Sequence, residues 1–223
     1  AIARAETAIG HSLEDKDCAG ACAMLTVPLS AVDTSVLDWV GGKNAHLGEM
    51  RNHLHLPVPR GFAITTTAFQ RFMEHEGLGD AINTLLAGLN PDDREGLGVL
   101  LQQVREAIVG ASLPPALVQA LEEEWRDTFG QEFVRVAVRS SGRSEDGDKS
   151  FAGQFLSVMN VPRQDLGTSY KRVVASLFSP SATLYRLHQG IALSANPMAV
   201  ACLEMVPAVA SGIAYSHSPT DIM

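Results

Sequence analysis

Val40-Gly41-Gly42-Lys43-Asn44-Ala45-His46-Leu47-Gly48-Glu49-Met50 sets a glycine pair and a lysine at the head of a segment with helical spacing. A helix N-terminus offers unpaired N–H groups and partial positive charge, and glycines let an anion approach the backbone. Lysine in that first turn adds a mobile full charge. The stretch therefore reads as a phosphate-binding helix start. It is not a Walker A loop, because the G-x-x-x-x-G-K-[ST] spacing is absent. A tight turn with a solvated lysine is the alternative reading.

About ninety residues on, Val138-Arg139-Ser140-Ser141-Gly142-Arg143-Ser144-Glu145-Asp146 leads to Ser150-Phe151-Ala152-Gly153-Gln154. Val134, Val136 and Val138 alternate with Arg135 and Arg139, so the segment reads as a strand with Arg139 at its end, opposite the valines. A guanidinium there can grip phosphate oxygens in fixed bidentate geometry. The loop from Gly142 to Gly153 carries no large side chain before Phe151, so it can cover a polyphosphate. Pairing of Arg139 with Glu145 or Asp146 is the competing reading. Taken together, the two segments suggest a chain that holds a nucleoside triphosphate and moves a phosphoryl group.

Working outward, the remaining chain mixes strands and helices without regular βαβ alternation, which predicts an α+β fold. Residues 1–23 read as an Ala-rich extension. Leu25 to Leu29 is a strand candidate. The helix opened by Gly41 and Gly42 is expected to bury Leu47, Met50 and Leu54 before Pro57 and Pro59 stop it. Gly61 to Thr67 reads as a strand, and Ala68 to Glu76 as a helix ending at Gly77. Leu97 to Val109 is helical. Ser112 is expected to cap the next helix, with Pro114 and Pro115 in its first turn. There Leu117, Leu121 and Trp125 recur on one side while Glu122, Glu123 and Glu124 face water. A helical insert over about 78–130 follows from this pair. Phe155 to Val161 continues as a strand, Asp165 to Phe178 and Ala182 to His188 as helices. Met198 to Val206 and Gly212 to Ser216 read as a hairpin-like pair.

Composition fits an ordinary globular protein: 223 residues, 46% hydrophobic and 19% charged. A net charge of −8 provides no general basic field for nucleic acid. Apolar runs are too short for a membrane helix, and the N-terminal residues lack an apolar signal segment. Three cysteines make no disulfide scaffold, so the cytoplasm is expected. Cys18 and Cys22 have the spacing of half a zinc site, but no matching pair follows. His46, His53, His55, His75, His188 and His217 show no ligand spacing, and His217 is read as a loop residue.

Further segments extend the two motifs: Leu56-Pro57-Val58-Pro59-Arg60-Gly61-Phe62-Ala63-Ile64-Thr65, Ser176-Leu177-Phe178-Ser179, Tyr185-Arg186-Leu187-His188-Gln189-Gly190, Glu204-Met205-Val206 and Ser211-Gly212. In this order and spacing, the sequence from about Met24 to the end resembles the ATP-binding region of phosphoenolpyruvate synthases. Pyruvate phosphate dikinases and rifampicin phosphotransferases are similar.

The resemblance implies an ATP-grasp-like domain, of which residues 24–223 supply a first lobe that ends before the second. It implies phosphate contacts from Lys43 and Arg139, a loop glycine at Gly153 and a small hydroxyl residue at Ser157. Glu204 falls where the family usually has a glutamine near the adenine; it can accept the amino hydrogen bond but cannot donate one. Gly147-Asp148-Lys149 replaces a usual proline-containing stretch. The implied cofactors are ATP and Mg²⁺, with metal ligands outside this chain. The implied partners are a swivelling phosphohistidine domain and pyruvate or a related acceptor. A non-catalytic regulatory or interaction module that keeps the fold is the rival reading.

Overall fold

The computed structural model describes residues 24–90, 93–130, 133–142, 155–189 and 197–212. Its centre is a five-stranded sheet: β1 (Thr26–Pro28), β2 (Gly61–Ile64), β3 (Val136–Ser141), β4 (Ser157–Val161) and β5 (Ala199–Glu204). The spatial order is β1-β2-β5-β3-β4, and every neighbouring pair is antiparallel. Eight α-helices accompany it among the described residues. They are α1 (Leu37–Val40), α2 (Gly42–Asn52), α3 (Thr66–Glu74), α4 (Leu78–Leu86), α5 (Arg94–Gly110), α6 (Pro115–Phe129), α7 (Leu166–Ala175) and α8 (Pro180–His188). This mixture of helices and sheet agrees with the α+β fold that the sequence predicts.

Strand alternation divides the sheet between two partners. Phe62, Ile64, Val136, Val138, Val200 and Cys202 point into the main core with residues of α3 to α7. Ala63, Ala201 and Leu203 point to the other face, where Val27, Leu29 and Val32 pack. Leu117, Leu121, Trp125 and Phe129 are the buried stripe of α6, so that helix lies on the sheet as its period requires. The helices of the proposed insert share one core with the strands.

Several local expectations change. The α2 face that packs inward is Gly42, Asn44, Ala45 and Gly48, whereas Leu54 is 61% exposed. The reason is close approach: a Cβ at Gly48 would stand 2.2 Å from the Val32 carbonyl oxygen, so only a glycine fits. Thr65 ends β2 and caps α3, its hydroxyl accepting from the Ala68 N–H. The α6 N-cap is Pro114, with no side-chain cap from Ser112. Glu124 does not face water; it accepts from Thr26 on β1 and Thr128. β5 is not half of a hairpin but the central strand, paired with β2 and β3. The residues 213–216 expected to partner it lie outside the described residues, as do the 1–23 extension, Cys18, Cys22 and His217.

No described helix is long and apolar enough to cross a membrane.

Candidate functional site

β3 runs two residues beyond Arg139, so the arginine sits within the strand and not at its end. Its cross-strand neighbours are Ala201 on β5 and Ser157 on β4. Directly opposed residues share a sheet face. Arg139 and Ser157 therefore stand side by side on the face away from the main core. The Arg139 Nε is buried and has no hydrogen-bond partner among the described residues. An arginine carries five N–H donors and no acceptor, so a buried orphan donor of this kind suits an anionic ligand.

The lysine segment meets the arginine strand at its far end. The Gly42 N–H donates to the Gly142 carbonyl at 3.1 Å, and the Asn44 N–H donates to the Ser141 hydroxyl at 3.1 Å. Gly41 adopts φ +75, and a Cβ there would lie 1.8 Å from the Ser141 carbonyl oxygen. Its glycine is thus required twice, by dihedral and by contact. The geometry places half-buried Lys43 in the first turn of α2, flanked by two residues that bond to the end of β3. Ser141 is two residues from Arg139, roughly 7 Å along a strand and on the same face.

This corrects the physical basis of the helix-start reading. Two of the N–H groups expected to be open to a phosphate, those of Gly42 and Asn44, are occupied by β3 and the residue after it. The glycine pair makes room for protein backbone. What α2 retains for an anion is the dipole of its N-terminus and the charge of Lys43.

Glu204 stands elsewhere. It pairs with Val136 and lies three residues along β5 from Ala201, roughly 10 Å, with its side chain on the opposite face. Both carboxylate oxygens are held by Arg60, Nε–Oε2 at 2.8 Å and Nη2–Oε1 at 3.0 Å. The hydrogen bond from Arg60 holds this carboxyl below its ordinary value, against a smaller opposing effect of burial. Arg60 in turn stacks over the Phe129 ring at 5.8 Å. Gly153 lies outside the described residues.

The structure therefore brings Lys43, Arg139 and Ser157 to one region and sets Glu204 apart from them. Asn44, Ser141 and Arg60 were not singled out from sequence as site residues. A serine that caps a helix 97 residues away leaves no local signature. Among the described residues, no group of three or more His, Cys, Asp or Glu side chains forms a metal-binding cluster. A hollow of about 1000 Å³ beside α5 and α7 includes none of Lys43, Arg139, Ser157 and Glu204.

Comparison with known proteins identifies the family. Residues 37–223 match the family described as pyruvate phosphate dikinase, AMP/ATP-binding domain. A probable phosphoenolpyruvate synthase of Staphylothermus marinus is 37% identical over 187 residues, covering 81% of this chain and 22% of that protein. The phosphoenolpyruvate synthase of Escherichia coli is 40% identical over 171 residues, 72% of this chain and 22% of that protein. A rifampicin phosphotransferase of Bacillus subtilis is 32% identical over 197 residues, 87% of this chain and 22% of that protein. The chain spans about a fifth of the length of these relatives. It belongs to the pyruvate phosphate dikinase AMP/ATP-binding domain family.

Proposed function

We propose that this chain carries the phosphate-gripping side of an ATP site in a phosphotransferase of the phosphoenolpyruvate synthase type. The observation that carries the reading is the buried Nε of Arg139, without a hydrogen-bond partner among the described residues, beside Ser157, with the Lys43 helix start bonded to the same strand. Lys43 and Arg139 place two cations where negative charge collects on a triphosphate, the arrangement that favours phosphoryl transfer electrostatically. Gly153 is proposed to cover the phosphates from the following loop. At the base, Glu204 is proposed to accept the adenine amino hydrogen bond. Arg60 keeps that carboxylate ionised, and each of its oxygens retains a second lone pair.

In the parent enzyme, ligands proposed to lie outside this chain would hold Mg²⁺, which would neutralise charge on the phosphates. The β-phosphoryl would pass to a carrier histidine on a swivelling domain, with AMP leaving and water taking the γ-phosphoryl as inorganic phosphate, and then onward to pyruvate or a related acceptor. These steps rest on the relatives' identity as phosphoenolpyruvate synthases and a rifampicin phosphotransferase.

Calorimetric titration of the chain with Mg-ATP, run beside Arg139→Ala and Lys43→Ala, tests the reading. Binding that falls at least tenfold in each variant, about 1.4 kcal/mol, with unchanged thermal unfolding, is the expected result. Equal binding by all three proteins, or none by the wild type, overturns it.

A further inference from the structure

The α2 N-terminus is capped from outside its own helix. Its N-cap, Gly41, has no side chain to accept a hydrogen bond, although serine, threonine, aspartate or asparagine usually does this work. The missing acceptor is the Ser141 hydroxyl, which is fully buried and receives the Asn44 N–H at 3.1 Å. The Gly142 carbonyl receives the Gly42 N–H in the same way. Asn44 completes the joint: its buried side-chain amide donates to the Val40 carbonyl at 2.8 Å, tying α2 back to the end of α1. Its Oδ1 is buried with no partner among the described residues.

Lys43 sits between the two bonded amides, and Arg139 sits two residues before the capping serine. We infer that Ser141 and Asn44 are positioning residues that fix the Lys43 helix start to the Arg139 strand, so that both cations meet one polyphosphate. This rests on the ATP reading above. The physical logic is preorganisation: two charges held at set separation bind a polyanion without first losing their freedom. Neither residue needs to touch the nucleotide, because the cap acts through the placement of its neighbours.

The inference separates phosphate binding from base binding. Ser141→Ala leaves the buried Asn44 N–H without an acceptor and loosens the first turn of α2. Mg-ATP affinity is expected to fall about tenfold, equivalent to about 1.4 kcal/mol, while affinity for adenosine, which has no phosphates, stays within about twofold. Asn44→Ala is expected to act in the same direction. Backbone ¹⁵N relaxation should show Gly42, Lys43 and Asn44 losing order in both variants, and thermal unfolding confirms that each is folded.

Calorimetry on wild type, Ser141→Ala, Asn44→Ala, Lys43→Ala and Arg139→Ala separates the outcomes. If Lys43→Ala and Arg139→Ala weaken Mg-ATP while the two joint variants bind as wild type, the positioning proposal fails and the ATP reading stands. If adenosine affinity falls as much as ATP affinity, the joint is merely structural and the proposal fails. If Lys43→Ala and Arg139→Ala bind as wild type, the ATP reading fails and the proposal falls with it. Unchanged relaxation of the α2 start in Ser141→Ala overturns the proposal whatever the titrations show.

Discussion

Tyr170 buries its hydroxyl with no hydrogen-bond partner among the described residues, its ring 5.9 Å from that of Phe72. Burial pushes its phenol above the ordinary value. An unsatisfied buried hydroxyl is a cost, so Tyr170→Phe is expected to leave stability unchanged or raise it by about 1 kcal/mol in urea unfolding. A loss of that size would show that the hydroxyl has a partner. Glu124 carries a cost of another kind, the desolvation of a charge. Burial raises its pKa above 4.5, opposed by hydrogen bonds from Thr128 and Thr26. Below that ordinary value both folded and unfolded forms are protonated. Above it the unfolded chain releases its proton first, so this group's contribution to stability declines as pH rises through the raised folded pKa. Glu124→Gln is expected to flatten that part of the stability–pH curve, measured by urea unfolding across acid to neutral pH; an unaltered slope rules the assignment out. At this scale the sequence was legible where pattern implies burial, as with Leu117, Leu121 and Trp125. It was silent on Glu124, because a glutamate in an acidic run looks solvated until a strand 98 residues away supplies its partner.

At the scale of elements, Gly41 and Gly77 distinguish two reasons for being glycine. Gly41 has φ +75 and a carbonyl oxygen 1.8 Å from where a Cβ would stand; Gly77 has φ +70 and nothing within 4 Å. Gly77→Ala is therefore expected to cost about 1 kcal/mol, the left-handed penalty alone. Gly41→Ala is expected to cost on the order of 3 kcal/mol or more, because β3 must also move. Parallel denaturant curves check the ranking, and equal losses would remove the packing argument. Helix and strand existence was readable from period: β3, β4, α5, α6, α7 and α8 all lie where apolar spacing puts them. The face buried by α2 was not. Of the apolar stripe Leu47, Met50 and Leu54, Leu47 packs half-buried against Leu29, Ala201 and Leu203, but close packing of Gly48 on Val32 makes the small-residue side the fully buried one and leaves Leu54 exposed.

For the whole molecule, strand order matters more than any single contact. β5 is the last of the described strands in sequence yet lies between β2 and β3, so residues 199–204 join the two halves of the sheet. A chain ending at Pro197 would leave β2 and β3 each with an unpaired edge over an open core. It is expected to lose cooperative thermal unfolding, and retention of a sharp transition would contradict that. Sequence spacing gave β5 as a strand but paired it with its neighbour in the chain. Nothing local marks a strand for insertion between partners that precede it by more than fifty residues.

Cys202 lies in the middle of that closing strand, buried, with its thiol pushed well above the ordinary value by burial. A thiol so placed is inert to alkylating reagents while the sheet stays shut, since only the thiolate reacts. With Cys18 and Cys22 replaced by serine, the labelling rate at Cys202 becomes a clock for the departure of β5. The protein thus carries, in its central strand, a chemical gauge of how often its own sheet comes apart.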